Sequence, residues 1–137
     1  MSRRSPASGS GSGPTALDLA RTIAAAADEK GGEQVEAFEV GEILAICDVF
    51  VIVSASNTRL VGAIANEVEE QVQILHDRKP TAVEGLDGRR WVLMDYGDVI
   101  LHVFLDEERT FYRLERLYSD APRVDLALPA PPLPVAR

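Results

Sequence analysis

"DVFVIVSASNTRLVGAIANEVEEQVQILHD", residues 48–77, changes its hydrophobic period once, and that change sets the architecture. From Val49 to Val53 it is continuously apolar and rich in β-branched residues. That is the pattern of a central strand covered on both faces. Ser56 or Asn57 then supplies a helix cap. Beyond it Val61, Ile64, Val68, Val72 and Leu75 recur at steps of three and four, the buried side of a long helix. Glu67, Glu69 and Glu70 fall mainly on its outer surface. A buried strand that runs into a helix and precedes further strands predicts a βαβ crossover and a mixed sheet.

Toward the C-terminus, "KPTAVEG" is a short strand candidate that Pro80 assigns to an edge. "RRWVLMDYGDVILHVF", residues 89–104, reads as a hairpin with strands Trp91 to Met94 and Asp98 to Leu105. "DYG" fits a three-residue loop with Gly97 in the left-handed conformation. Paired this way, one face carries Trp91, Leu93, Val99 and Leu101, and the other Val92, Met94, Ile100 and Phe104. Both faces are apolar, whereas an antiparallel hairpin usually wets one. "DEERTFYRLERLYSDAP" follows as one helix with Phe111, Leu114, Leu117 and Tyr118 as its apolar stripe.

Toward the N-terminus, "EQVEAFEV" alternates as a strand with one wet side. Before it, "PTALDLARTIAAAADEKGG" reads as a helix capped by Thr15, with Leu17, Ala20, Ile23, Ala24 and Ala27 on one face and Gly31 and Gly32 at its end. The order α-β-β-α-β-β-β-α defines a single α/β domain over residues 15–120, with a mixed β-sheet of about five strands and flanking helices. Residues 1–14 are a Ser/Gly-rich flexible tail and residues 121–137 a Pro/Ala-rich extended tail, with a PxxP pattern in "PAPPLP". Three helices cannot hide both faces of such a sheet completely. The hairpin's second face is therefore expected to be thinly covered, and an exposed apolar patch marks an interaction site.

With 137 residues and 46% apolar composition the chain can build a real core. No stretch approaches the roughly 18 uninterrupted apolar residues of a membrane span. The single cysteine, Cys47, permits no intrachain disulfide, in keeping with a cytoplasmic protein. A net charge of −8 disfavours direct binding to a phosphate backbone and suits a basic protein partner, or simply solubility.

Searching for chemistry yields little. There is no phosphate-binding glycine loop and no nucleophile elbow. "SAS", residues 54–56, could face an anion at a helix N-terminus, but an N-cap with small-residue packing explains it more simply. His76 and His102 are the only histidines; the first suits a helix end and the second a packed or partner-facing strand position. Asp95 and Asp98 flank a tight turn, whose backbone they would ordinarily hydrogen-bond; a cation or partner contact is the alternative. Arg109, Arg113 and Arg116, interspersed with Glu108 and Glu115, read as a solvated ion-paired face. Tyr96, at the turn apex, either folds back onto the sheet or anchors a partner.

"CDVFVIVSASNTRLVGAIANEVEE", "WVLMDYGDVILHVF" and "RTFYRLERLYSDAP" together resemble the Iojap family, the bacterial ribosomal silencing factors, over roughly Thr15 to Pro122. The resemblance implies a nucleotidyltransferase-like fold without catalysis and without a cofactor. It also implies binding to large-subunit ribosomal protein number fourteen, a steric block to subunit joining that lowers translation when nutrients are short, and a homodimer off the ribosome. Trp91, Leu93, Asp95, Tyr96 and Asp98 match the family's central block, His102 the histidine of the next strand, and Phe111, Tyr112, Leu114 and Glu115 the last helix. Tyr118 departs from the family's frequent tryptophan. The partner-binding residues expected are Trp91, Leu93, Asp95, Tyr96, Asp98 and His102. A nucleotidyltransferase would need a Gly-Ser turn and converging carboxylates. Here the turn reads "SAS" and no D-x-D strand follows, so a nucleotide-binding protein or enzyme is the lesser alternative.

Overall fold

The apolar run becomes strand β2, Val49–Ala55, and every residue of it is buried. In the computed structural model, which describes residues 14–128, it lies within a five-stranded mixed sheet. Helix α1 is Pro14–Glu29, β1 Glu33–Glu39, α2 Thr58–His76 and β3 Ala82–Glu84. Strands β4, Trp91–Asp95, and β5, Val99–Leu105, form the hairpin, and α3, Asp106–Tyr112, and α4, Leu114–Leu117, complete the elements. The sheet order is β1-β2-β5-β4-β3. β2 and β5 pair in parallel and the other neighbours antiparallel, so the expected crossover and mixed sheet are present.

Helix α2 starts where Asn57, in extended conformation, accepts the Leu60 N–H at 2.8 Å on its Oδ1. It buries Val61, Ile64, Val68 and Val72 against the sheet. Each such side chain contributes about 1.5–3 kcal/mol of apolar burial. The stripe stops one step early: Leu75 is exposed. Helix α1 lies on the same face of the sheet and buries Leu19 and Ile23 fully, while Leu17 only flanks the core. It begins at Pro14, so Thr15 sits inside the first turn rather than at the cap.

The hairpin register corrects the expected faces. Trp91 stands opposite Phe104, Leu93 opposite His102, and Met94 opposite Leu101. Val92, Met94, Val99, Leu101 and Val103 therefore face α1 and α2 in the larger core. Trp91, Leu93, Ile100 and Phe104 face the other way, with Phe50 and Ile52 of β2. The cause is the turn. Tyr96 N–H donates to the Val99 carbonyl at 2.9 Å, leaving Gly97 and Asp98 as a two-residue loop. Gly97 takes φ +93°, which favours glycine at the first loop position. Shortening the loop by one residue flips the pairing of one strand's side chains.

Two further expectations fail. The last helix is broken at Arg113, which adopts φ +48° between α3 and α4. And residues 121–128 are not a free tail. They run along β1, with Val124 N–H donating to Ala37 O at 2.9 Å and Glu39 N–H to Pro122 O at 2.8 Å. Ala121 and Val124 are buried, and Arg21 Nε donates to Asp125 O at 2.9 Å. This strap satisfies part of an edge strand that would otherwise present unpaired backbone groups. Residues 1–13 and the "PAPPLP" pattern lie outside the described residues.

Candidate partner-docking face

Two layers of unequal thickness cover the sheet. Helices α1 and α2 seal one face. The other is closed by Leu44, Cys47, Ala121, Leu114 and Tyr118, contributed by a loop, a short helix and the chain that follows it. On this second face sits an aromatic cluster. Trp91 packs on Phe104 and on Tyr112 of α3, each at 4.8 Å between ring centroids. Phe50 meets His102 edge-on at 4.7 Å and Tyr118 at 5.3 Å. Such contacts add to burial when rings tilt rather than sandwich.

His102 is the polar centre of the cluster and is only 4% exposed. Trp91 Nε1–H donates to its Nδ1 at 3.1 Å. Nδ1 must then be an acceptor, which places the proton of the neutral ring on Nε2. Burial lowers the pKa of the imidazole to about 4, so the ring is neutral at physiological pH.

Above the cluster the apolar side chains turn outward. Phe111 is 76% exposed and Leu117 73%, with Tyr112 half in solvent. Phe111 stands edge-on to Tyr112 at 5.0 Å. The expected apolar stripe is thus divided by the Arg113 break: Leu114 and Tyr118 pack inward while Phe111 and Leu117 do not. The loop before β2 also closes the cluster through Leu44 and Cys47, and it carries Ile43 and Ile46 exposed. Burial, then the charges of Asp48 and Asp95, push the Cys47 thiol up to about 12, so it stays protonated.

The residues singled out in the sequence divide into three groups. Trp91 and Leu93 are half-buried on the second face, with His102 buried between them and β2. Tyr96 instead enters the larger core at 2% exposure, so the fold-back reading of that residue is the observed one. Its hydroxyl is pushed up to about 12 by burial and by Glu69, opposed by Arg78. Asp95 and Asp98 are engaged within the chain. Asp95 Oδ1 accepts the Gly97 N–H at 2.8 Å, and Asp98 receives Arg78 at 2.8 and 3.3 Å. Among the described residues no group of three or more His, Cys, Asp or Glu is placed to hold a metal ion.

Arg109 departs most from expectation. It is not on a solvated face but 4% exposed. Its Nη1 donates to Gln34 O at 2.7 Å and to Ser54 Oγ at 3.2 Å, and its Nε to Glu115 Oε1 at 3.3 Å. No local pattern marks it, because Gln34 lies 75 positions away. Ser54, the first residue of "SAS", is likewise a buried structural hydroxyl, donating to Glu33 O at 3.1 Å.

A single mixed sheet with one sealed face and one face roofed by two short helices that expose Phe111 and Leu117 defines a domain of α/β class. The chain matches the family described as ribosomal silencing factor during starvation over residues 13–134, and it belongs to that family. It is 39% identical over 108 residues to the ribosomal silencing factor RsfS of Bacillus subtilis strain 168, covering 79% of this chain and 91% of that one. It is 40% identical over 111 residues to the RsfS of Halalkalibacterium halodurans, covering 80% and 92%. A crystal structure of a Bacillus halodurans protein superposes with a TM-score of 0.67 at 35% identity, covering 82% of this chain and 99% of that one. Among the described residues no helix is long and apolar enough to cross a membrane.

Proposed function

We propose that this protein is a ribosomal silencing factor. It docks through its second sheet face on the large ribosomal subunit, at ribosomal protein fourteen, and sterically blocks joining of the small subunit. Translation falls when nutrients are short, and the protein acts in the cytoplasm without catalysing a reaction. The observation that carries this reading is the outward apolar surface of α3 and α4, Phe111 and Leu117, seated over the Trp91 cluster. Exposed apolar surface of this kind marks a protein interface. A net charge of −8 favours a basic protein over bare RNA as the partner. Trp91 and Leu93 contribute at the rim of the roof, and His102 shapes the floor beneath Trp91. Tyr96, Asp95 and Asp98 support the face by holding the hairpin tip. Off the ribosome, a second copy of the chain covers the same face.

Sedimentation with isolated large subunits, small subunits and intact ribosomes tests the proposal. Comigration with large subunits alone, and fewer joined particles when small subunits are added, is the expected result. A folded Trp91→Ala variant should dock more weakly by roughly 2 kcal/mol or more, with its unfolding free energy measured in parallel. Absence of comigration down to low salt would overturn the reading.

A further inference from the structure

Arg109 carries a buried positive charge that the docking surface does not use directly, yet it ties α3 to β1, β2 and α4. Its three nitrogens reach three elements, β1, β2 and α4: Nη1 to the Gln34 carbonyl and Ser54 hydroxyl, Nε to Glu115, and Nη2 toward Glu36 at 3.6 Å. Two local departures from regular structure make this convergence reachable. Pairing between β1 and β2 is irregular between Glu33 and Glu36, and Gln34 there takes φ +52°. Arg113 takes φ +48° and ends α3. In an unbroken helix, residues 109 and 115 would be six apart, about 240° around the axis and facing away from each other. Only the break at Arg113 brings the Glu115 carboxylate back to Arg109.

We infer that Arg109 is a positioning residue for the docking face: its guanidinium seats α3 and α4 on the sheet so that Phe111 and Leu117 are presented outward. The inference rests on the docking reading above. Tyr112 sits three residues beyond Arg109 and packs on Trp91 at 4.8 Å, with Phe111 against Tyr112. A shift of α3 therefore moves the roof and uncovers Trp91 together. Lysine cannot replace the fork, since one ammonium on a flexible stem does not fill three fixed directions at once.

Trp91 is the only tryptophan, so its fluorescence reports the seat of α3 directly. The full chain is compared with Arg109→Lys, Glu115→Gln, the double variant, and Arg59→Gln as a control at an exposed arginine of α2, on the other side of the sheet. Glu115 keeps 30% of its side chain in solvent, so its variant tests the contact even where Arg109→Lys fails to fold. With far-UV circular dichroism unchanged, acrylamide quenching of Trp91 should rise about twofold. Affinity for purified large subunits should fall about threefold to tenfold. The double variant should be no weaker than Arg109→Lys alone, because Glu115→Gln removes a contact that Arg109→Lys has already lost, and Arg59→Gln should change neither readout. A lower melting temperature with unchanged Trp91 quenching overturns the assignment and leaves Arg109 a stability residue. Increased quenching with undiminished docking overturns it as well. Failure of the unmodified protein to bind large subunits overturns the docking reading and this assignment together, which separates that outcome from the other two.

Discussion

His102 makes the stability of the second face depend on pH, with a sign that can be worked out. In the unfolded chain an imidazole titrates near 6.5; in the fold, burial lowers this to about 4. A folded pKa below the unfolded one means that the unfolded state takes up the proton first. Stability is therefore complete above about pH 6.5, declines as pH falls from there toward 4, and loses nothing further from this group below that. The gap of about 2.5 pH units, at about 1.36 kcal/mol for each, makes the full loss about 3 kcal/mol. At pH 5 about 2 kcal/mol of it should already be gone. The local cause is that a protonated ring would set an N–H of Nδ1 against the Trp91 indole N–H, now 3.1 Å away, inside an aromatic cluster that cannot hydrate a charge. The assay is urea unfolding followed by Trp91 fluorescence at several pH values between 7 and 4.5, for the protein and for His102→Asn. Asparagine keeps an acceptor near the Nδ1 position but does not titrate. The difference in unfolding free energy between the two proteins should shrink by about 2 kcal/mol from pH 7 to pH 5. Equal pH slopes for the two would refute the reasoning, because every other group contributes alike to both.

Other consequences follow from exposure and close approach. Phe111→Ser and Leu117→Ser should each change unfolding free energy by no more than about 0.5 kcal/mol, since both side chains are largely in solvent. Docking on large subunits should nevertheless weaken at least tenfold in the pair, read by cosedimentation. Gly85→Ala tests the entry to the hairpin: a Cβ there would stand 2.1 Å from the Trp91 carbonyl oxygen, and the residue holds φ +92°. It should cost about 2–4 kcal/mol, measured as a lower urea midpoint with an unchanged slope.

The sequence alone determined the order of elements up to the last helix, the buried strand β2, the capped helix α2 and the mixed sheet, since these rest on local periodicity and on one asparagine with its own backbone partner. It also determined the family, through residues spread from the buried strand to the last helix. What it left to the tertiary structure depended on single-residue offsets and on distant partners. The hairpin faces turned on whether the loop held two residues or three, a choice fixed by the Tyr96 to Val99 hydrogen bond. Tyr96 joined the core because the loop tip folds back beneath α2, toward Glu69 and Arg78. The strap of residues 121–128 had no apolar run to announce it; it is held by edge backbone groups of β1 that needed partners. Arg109 looked like one of three surface arginines at helical spacing. Its burial was decided by a carbonyl on β1, a hydroxyl on β2 and a carboxylate beyond a helix break, none of which lies on its own helix. Periodicity reports which side of an element is apolar, whereas only the packed chain decides which buried charge finds enough partners to stay.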